Sequence, residues 1–251
     1  MAVLHLVEWG DPEGPPVVCL HGVTAHAGRF ELLAARLTGR RVVAVDLRGH
    51  GDSTGEAPWD LDTHLADILE TSDVLGIEEA AWIGHSFGGR IVCELAAREP
   101  DLVERAVLLD PALHIEPPIA TQRAGLLFPG QSFDSVDAAI DARLADGTLF
   151  STPREVLERE AELALERGED GRFRWRFSRA AVSVAWSDMA TPAPPWPACP
   201  TLVVLGARSW VPNDVPQLSH VTTVQVRGGH FVLWDAFEET AAAVAAFLEP
   251  D

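Results

Sequence analysis

Short apolar runs alternate with longer amphipathic ones through the first part of the chain. Val17-Val18-Cys19-Leu20, Val42-Val43-Ala44-Val45, Ala80-Ala81-Trp82-Ile83 and Ala106-Val107-Leu108-Leu109 are continuous apolar segments of strand length, the pattern of strands buried on both faces. Between them, Phe30 to Leu37, Leu61 to Leu75 and Gly88 to Arg98 carry apolar residues at helical spacing. In the second of these, Leu61, Leu65, Ile68, Leu69 and Val74-Leu75 form one stripe with acids opposite. Strand–helix alternation of this kind predicts an α/β fold, a mostly parallel twisted sheet with helices on both faces. The chain opens differently. Leu4 to Trp9 alternates and Gly10-Asp11-Pro12 turns, which predicts an antiparallel edge hairpin.

From Pro111 to about Pro200 strand-like runs vanish, and helical stretches are predicted at Val136–Ala145 and Pro153–Arg167, with Pro153 at a helix start. Phe173 to Trp186 mixes aromatic, arginine and small residues. Thr191 to Pro197 is too proline-rich for regular structure and reads as a return linker. Strands then resume at Thr201–Leu205 and Val221–Val226, followed by an Ala-rich helix, Ala236–Leu248. The economical organisation is one α/β core, residues 1–110 and 199–251, interrupted by a helical cap insertion at 111–198.

Composition agrees with one globular domain: 251 residues, 47% of them hydrophobic. The formal charge is −19 and no lysine is present. So acidic a chain repels phosphate backbones and anionic headgroups, which argues against nucleic-acid and membrane partners. Cys19, Cys93 and Cys199 lie far apart, with no CxxC pair, and read as free thiols rather than a disulfide or metal framework. The first residues lack a basic start followed by an apolar core, and no apolar run has the length of a membrane span. A cytoplasmic enzyme is the expectation.

The strongest chemical signal is Gly84-His85-Ser86-Phe87-Gly88, set between an apolar strand and a helix. A serine at a tight strand-to-helix turn adopts strained backbone geometry, and glycines two before and two after it avoid the clash. The turn also puts Ser86 at a helix N-terminus, where backbone N–H groups favour a developing oxyanion. With His21-Gly22, Asp46-Leu47-Arg48-Gly49-His50-Gly51-Asp52-Ser53 and Gly228-Gly229-His230, this makes four motifs in the order and approximate spacing of the α/β-hydrolase superfamily, which the chain resembles over essentially its full length.

The resemblance implies Ser86 as nucleophile and His230 as general base, and an oxyanion hole from the backbone N–H groups of Val23 and Phe87. It implies bracing roles for His21, His50 and His85, and a structural Arg48 tying Asp46, Asp52 and nearby carbonyls together. Most relatives place an aspartate after the strand matching Thr201–Leu205. Here the segment is Gly206-Ala207-Arg208-Ser209, with serine at that position. A minority place the acid after the preceding strand, and Asp110 stands there; it is the favoured third member. Asp214, farther along the later loop, and an absent acid are the alternatives.

Epoxide hydrolases and haloalkane dehalogenases of this fold use an aspartate nucleophile, and epoxide opening draws on cap tyrosines; this chain has Ser86 and no tyrosine. No metal-ligand spacing or phosphate-cradling loop is evident, so neither metal nor cofactor is expected. Hydrolysis of small to medium, largely uncharged carboxylic esters through an acyl-enzyme on Ser86 is the favoured function. A carbon–carbon bond hydrolase, lactonase, cofactor-free haloperoxidase or non-catalytic ligand-binding receptor of the same fold stays open. Phe128, Phe133, Phe150, Trp175, Phe177, Trp186 and Trp196 are candidate pocket walls, with His26 and Trp210 nearer the site. The alternating Arg172, Arg174, Arg176 and Arg179 read as a solvated face rather than a carboxylate site.

Overall fold

The computed structural model describes residues 4–126, 131–212 and 214–249. The chain begins β1 (Leu6–Gly10), β2 (Pro16–Leu20), α1 (Glu31–Ala34), β3 (Arg41–Val45), α2 (Leu61–Leu75), β4 (Ala80–His85), α3 (Phe87–Arg98) and β5 (Val103–Leu109). Next come α4 (Pro117–Gly125), α5 (Val136–Ala145), α6 (Arg154–Ala164), β6 (Leu165–Arg167), β7 (Phe173–Trp175) and α7 (Arg179–Met189). It closes with β8 (Thr201–Gly206), β9 (Val221–Val226), α8 (Val232–Asp235) and α9 (Phe237–Leu248).

Seven strands form one sheet in the order β1-β3-β2-β4-β5-β8-β9. Only β1 is antiparallel. The all-apolar strands are explained by burial on both faces. Val18 pairs with Trp82 and Trp82 with Ala106, and all three point into the core layer shared with Leu65 and Ile68 of α2 and Ile91 and Leu95 of α3. Their neighbours Val17, Ile83 and Val107 point the other way, onto Phe30, Leu33 and the Val244 and Leu248 side of α9. Side chains alternate across a strand, so each residue step changes layer.

Local signals fix the helix ends. The Asp60 carboxylate accepts the Thr63 N–H at 2.9 Å and Gly76 ends α2 at φ 65°. The hydroxyls of Ser135 and Ser178 accept the N–H groups of Ala138 and Ala181 to open α5 and α7.

The expected opening hairpin is not formed. β1 pairs with β3, Leu6 opposite Val45, because β2 is flanked on both sides by β3 and β4. The turn after β1 crosses over β3 instead, Asp11 N–H donating to Arg40 O at 2.9 Å. The helix expected over 153–167 ends at Ala164. Leu165 turns extended, φ −99° and ψ 138°, and β6 pairs with β7. The helix α4 carried no sequence signal beyond its leading prolines.

The segment between β5 and β8 straddles the sheet's end. Val182, Ala185 and Met189 of α7 join the α2–α3 layer, whereas Ile140 of α5 and Leu157 and Ala161 of α6 join the opposite layer. Among the described residues, no helix is long and apolar enough to cross a membrane. Cys19, Cys93 and Cys199 are free thiols, the first two buried, and burial raises both far above the usual thiol range.

Candidate active site

β4 delivers Ser86 to the sheet's C-terminal edge, and α3 begins on the next residue. Turning from strand to helix within one residue forces Ser86 to φ 54° and ψ −116°, a conformation costly for a side-chain-bearing residue. The surroundings hold it there: Ser86 N–H donates to Leu109 O at 3.1 Å, and Ser86 O accepts from Ala112 at 3.0 Å. A Cβ on Gly84 would collide with the Gly88 carbonyl, and one on Gly88 with that of Leu20. Both flanking glycines are therefore required by close backbone approach.

The Ser86 hydroxyl lies 2.9 Å from His230 Nε2, and His230 Nδ1 lies 2.7 Å from Asp110 Oδ2. A carboxylate only accepts, so Nδ1 carries the proton and Nε2 is left to accept from the serine. His230 follows β9, in the loop before α8. Asp110 follows β5 at φ 43° and is fully buried. Its Oδ1 accepts the Gly206 N–H at 2.9 Å, and Oδ2 also accepts the Ser209 hydroxyl. Of the two acids weighed from sequence, Asp110 meets the histidine, while Asp214 stands exposed in its loop. The serine at the usual acid position has a use of its own: it donates to the acid that stands one strand away.

Val23 lies beside Ser86 at the cavity wall, after the His21-Gly22 turn, and Thr24 follows at φ 62°. Phe87 opens α3, so its N–H is one of the helix-start donors that the helix does not use. His21 Nε2 accepts the Leu47 N–H at 2.9 Å and Nδ1 donates to Gly22 O at 2.7 Å, bracing the loop that carries Val23. His85 Nε2 donates to His230 O at 2.9 Å, fixing the loop of the second histidine. Burial, then a neighbouring imidazole, holds His21 and His85 well below the ordinary histidine value. Burial brings His50 to about 4. Neutral rings suit these bracing bonds.

Arg48 departs from expectation. Its guanidinium binds Asp67 of α2 twice, at 2.6 and 2.7 Å, and Glu56 O at 3.0 Å, not Asp46 or Asp52. Asp46 accepts instead the N–H groups of Ala27 at 2.7 Å and Asp52 at 3.0 Å, with His5 Nδ1 at 2.7 Å. The chain at Ala27 and at Asp52 thus meets on Asp46, because Asp67 faces inward from α2 and takes the arginine. Among the described residues, His5, Asp46 and Asp52 gather ligand atoms that could hold a cation, although Asp46 is already engaged by these donors.

Ser86 and His230 open into a cavity of about 270 Å³. Of the aromatic residues expected at its wall, Trp175, Phe177 and Trp186 line it with Trp210; Phe133, Phe150 and Trp196 do not, and Phe128 lies outside the described residues. His26 sits behind the wall, its Nε2 3.0 Å from Glu160 Oε2. Phe231 and Trp234 are wall residues that periodicity could not reveal.

Basic residues line the cavity as well. Arg29, Arg123 and Arg143 reach it from three separate segments. Arg29 pairs with Glu160 and stacks on Trp234 at 4.3 Å, and Arg143 pairs with Asp146 and stacks on Phe231 at 4.5 Å. Burial alone would raise the Glu160 carboxyl, but the charge of Arg29 and bonds from His26 and Arg29 hold it down at about 2. Arg172, Arg174 and Arg176 turn outward to Asp134, Asp170 and Asp52, the solvated face read from sequence.

Asp235 is a further residue that sequence reasoning missed. One carboxylate oxygen accepts the Gly229 N–H at 2.8 Å, the other the N–H groups of Phe150 and Ser151 and the Thr152 hydroxyl at 2.6 Å. It ties the inserted segment to the loop that bears His230.

Comparison with known proteins gives the family. A family model described as alpha/beta hydrolase fold matches residues 15–211. The chain is 34% identical over 189 residues to lipase LipV of Mycobacterium tuberculosis, covering 74% of this chain and 71% of that one. It is 31% identical to the mouse (Mus musculus) sn-1-specific diacylglycerol lipase ABHD11, covering 95% and 82% respectively. Among solved structures, E-2-(acetamidomethylene)succinate hydrolase superposes with a TM-score of 0.85 at 25% identity, over 98% of this chain and 95% of that one. The chain belongs to the α/β-hydrolase family and is a serine hydrolase of that fold.

Proposed function

We propose that this hydrolase cleaves small to medium carboxylic esters through an acyl-enzyme on Ser86, with His230 as general base and acid and Asp110 as the triad carboxylate. One observation carries the reading: the unbroken hydrogen-bond chain from Ser86 through His230 to Asp110, at the wall of the cavity. His230 Nε2 takes the serine proton as Oγ bonds to the ester carbonyl carbon. The carbonyl oxygen gains the negative charge, which the backbone N–H groups of Val23 and Phe87 stabilise. Collapse breaks the bond to the alcohol oxygen, which leaves with the proton from His230. Water then attacks the acyl-enzyme by the same route, releasing the acid and restoring Ser86. Asp110 holds the imidazole in the tautomer this requires and offsets its charge when protonated.

Residues 111–198 act in this scheme as a cap over the 1–110 and 199–251 core, and set which ester enters. The hydrogen bond from His230 to Asp110 supports the enzyme reading over a non-catalytic ligand-binding receptor. Wild type is expected to hydrolyse p-nitrophenyl acetate and butyrate and to react covalently with a fluorophosphonate at Ser86. Ser86→Ala is expected to do neither. A folded wild type that is inert to both probes would overturn the proposal.

A further inference from the structure

Three arginines face the cavity, and two of them have carboxylate partners. Arg29 is held by Glu160 and Arg143 by Asp146. Arg123, on α4, has neither a hydrogen bond nor an ion pair among the described residues. Its guanidinium lies over the Trp210 ring with Cζ 4.4 Å from the centroid. The same indole ring is 5.5 Å from His230 and 6.2 Å from Trp186. One aromatic ring therefore separates this cation from the imidazole that serves Ser86. Counting Asp146 and Glu160 against the three arginines leaves the cavity wall with one uncompensated positive charge, in a chain whose net charge is −19.

A guanidinium stacked by its face keeps its N–H donors along its edge, and a fork of such donors matches a carboxylate. The wall around it is largely apolar, where a charge-assisted pair is stronger than in water. Resting on the ester-hydrolase reading above, we infer that the preferred substrate is an acidic hemiester. The acyl chain ends in a second carboxylate, which Arg123 binds while Ser86 attacks the ester carbonyl at the other end. Ser86 Oγ bonds to that carbonyl carbon, the alcohol departs with the His230 proton, and water releases a dicarboxylate. Arg123 makes no bond to the reacting atoms and acts on specificity.

The test compares mono-p-nitrophenyl adipate with p-nitrophenyl hexanoate, matched in acyl length, with spontaneous hydrolysis subtracted. In wild type, kcat/KM for the acidic ester is expected to exceed that for the neutral one by about tenfold at low salt, and the preference to shrink as salt screens the pair. In Arg123→Gln the ratio of the two is expected to fall by roughly 10–100-fold, mostly through KM of the adipate. Arg123→Lys is expected to keep part of the preference, and Arg123→Glu to invert it. Because each ratio is taken within one variant, any general loss of activity or folding cancels. A wild-type ratio at or below one, or a ratio unmoved by Arg123→Gln, overturns the inference while leaving the ester-hydrolase reading intact. Turnover of neither ester by wild type removes that reading and the inference with it.

Discussion

The core side of the cavity and the side built by residues 111–198 treat polar groups differently. On the core side the groups that hold the candidate triad and its loops are buried and engaged. Asp110 is bonded by Gly206, Ser209 and His230, Arg48 by Asp67, and His21 by Leu47 and Gly22. On the other side, Arg123 and Arg143 lie over the Trp210 and Phe231 rings, Arg123 without an acid partner among the described residues and Arg143 with the exposed Asp146. A buried polar group left unpaired is costly, so the core network specifies one geometry. A stacked cation on a half-exposed wall can be replaced at small cost to folding. The contrast sets a tightly bonded network around Ser86 against a wall whose charged groups are less constrained.

The largest effects should follow breaks in the core chain. Ser86→Ala is expected to lower kcat on the order of 10⁶-fold and Asp110→Asn roughly 10⁴-fold, each with an unchanged circular dichroism spectrum. Asp214→Asn should leave kcat/KM within about twofold of wild type, as for an exposed charge away from the reacting atoms. Because Ser209 and His230 share one oxygen of Asp110, Asp110→Asn with Ser209→Asp should recover at least part of the lost rate. Recovery would show that the acid can stand on either strand. A large loss in Asp214→Asn, matched by a mild one in Asp110→Asn, would reverse the assignment.

Next in size is the buried ion pair that carries no chemistry. Arg48→Met takes away the guanidinium that binds the buried Asp67 carboxylate twice and is expected to cost about 3 kcal/mol of stability, measured by urea unfolding. Activity of the molecules that remain folded should change little. If kcat fell as far as in Asp110→Asn, Arg48 would belong with the reacting groups rather than behind them.

What the sequence revealed divides along the same line. Continuous apolar runs mark strands buried twice over, and Gly84 to Gly88 can only be the turn that presents Ser86. Asp110 was legible because it ends the strand beside β4. Ser209 was read as a loss, since a hydroxyl's use depends on which carboxylate stands opposite, and that is a tertiary fact. Asp67 was hidden for a similar reason: an acid on α2 looks like any solvated residue until Arg48 reaches it. The cavity wall was least legible. Arg29, Arg123 and Arg143 are far apart in sequence and no periodicity joins them, while the conspicuous Arg172, Arg174 and Arg176 point to surface acids.

Acid should test the core network as a whole. Burial holds His50 and His64 at about 4, below the 6.5 of a free imidazole. Between these values the unfolded chain binds the protons and the folded one does not, so stability rises with pH across that window and is lost as pH falls through it. The loss is on the order of 3 kcal/mol per imidazole at most. Asp188 opposes this, because burial raises its carboxyl to about 6 and the folded state then holds a proton that the unfolded state has released. One half-buried carboxyl is outweighed by two buried rings. Urea midpoints should therefore drop steadily from pH 7 to pH 4; a flat profile would show that the rings are not held neutral by burial.

The smallest effect is expected on the inserted side. Arg154 stands among Asp137 at 2.7 Å, Asp141 at 2.9 Å and Glu158 at 3.2 Å, more partners than Arg48 has. All four side chains are exposed, however, so water already solvates each charge and salt screens their attraction. Counting partners would rank Arg154 above Arg48; burial ranks it far below. Arg154→Gln should leave the melting temperature and kcat/KM for p-nitrophenyl butyrate within error of wild type, at low and at high salt. A melting-temperature loss comparable to that of Arg48→Met would mean that exposed charges hold the insertion in place, and the contrast between the two sides of the cavity would fail.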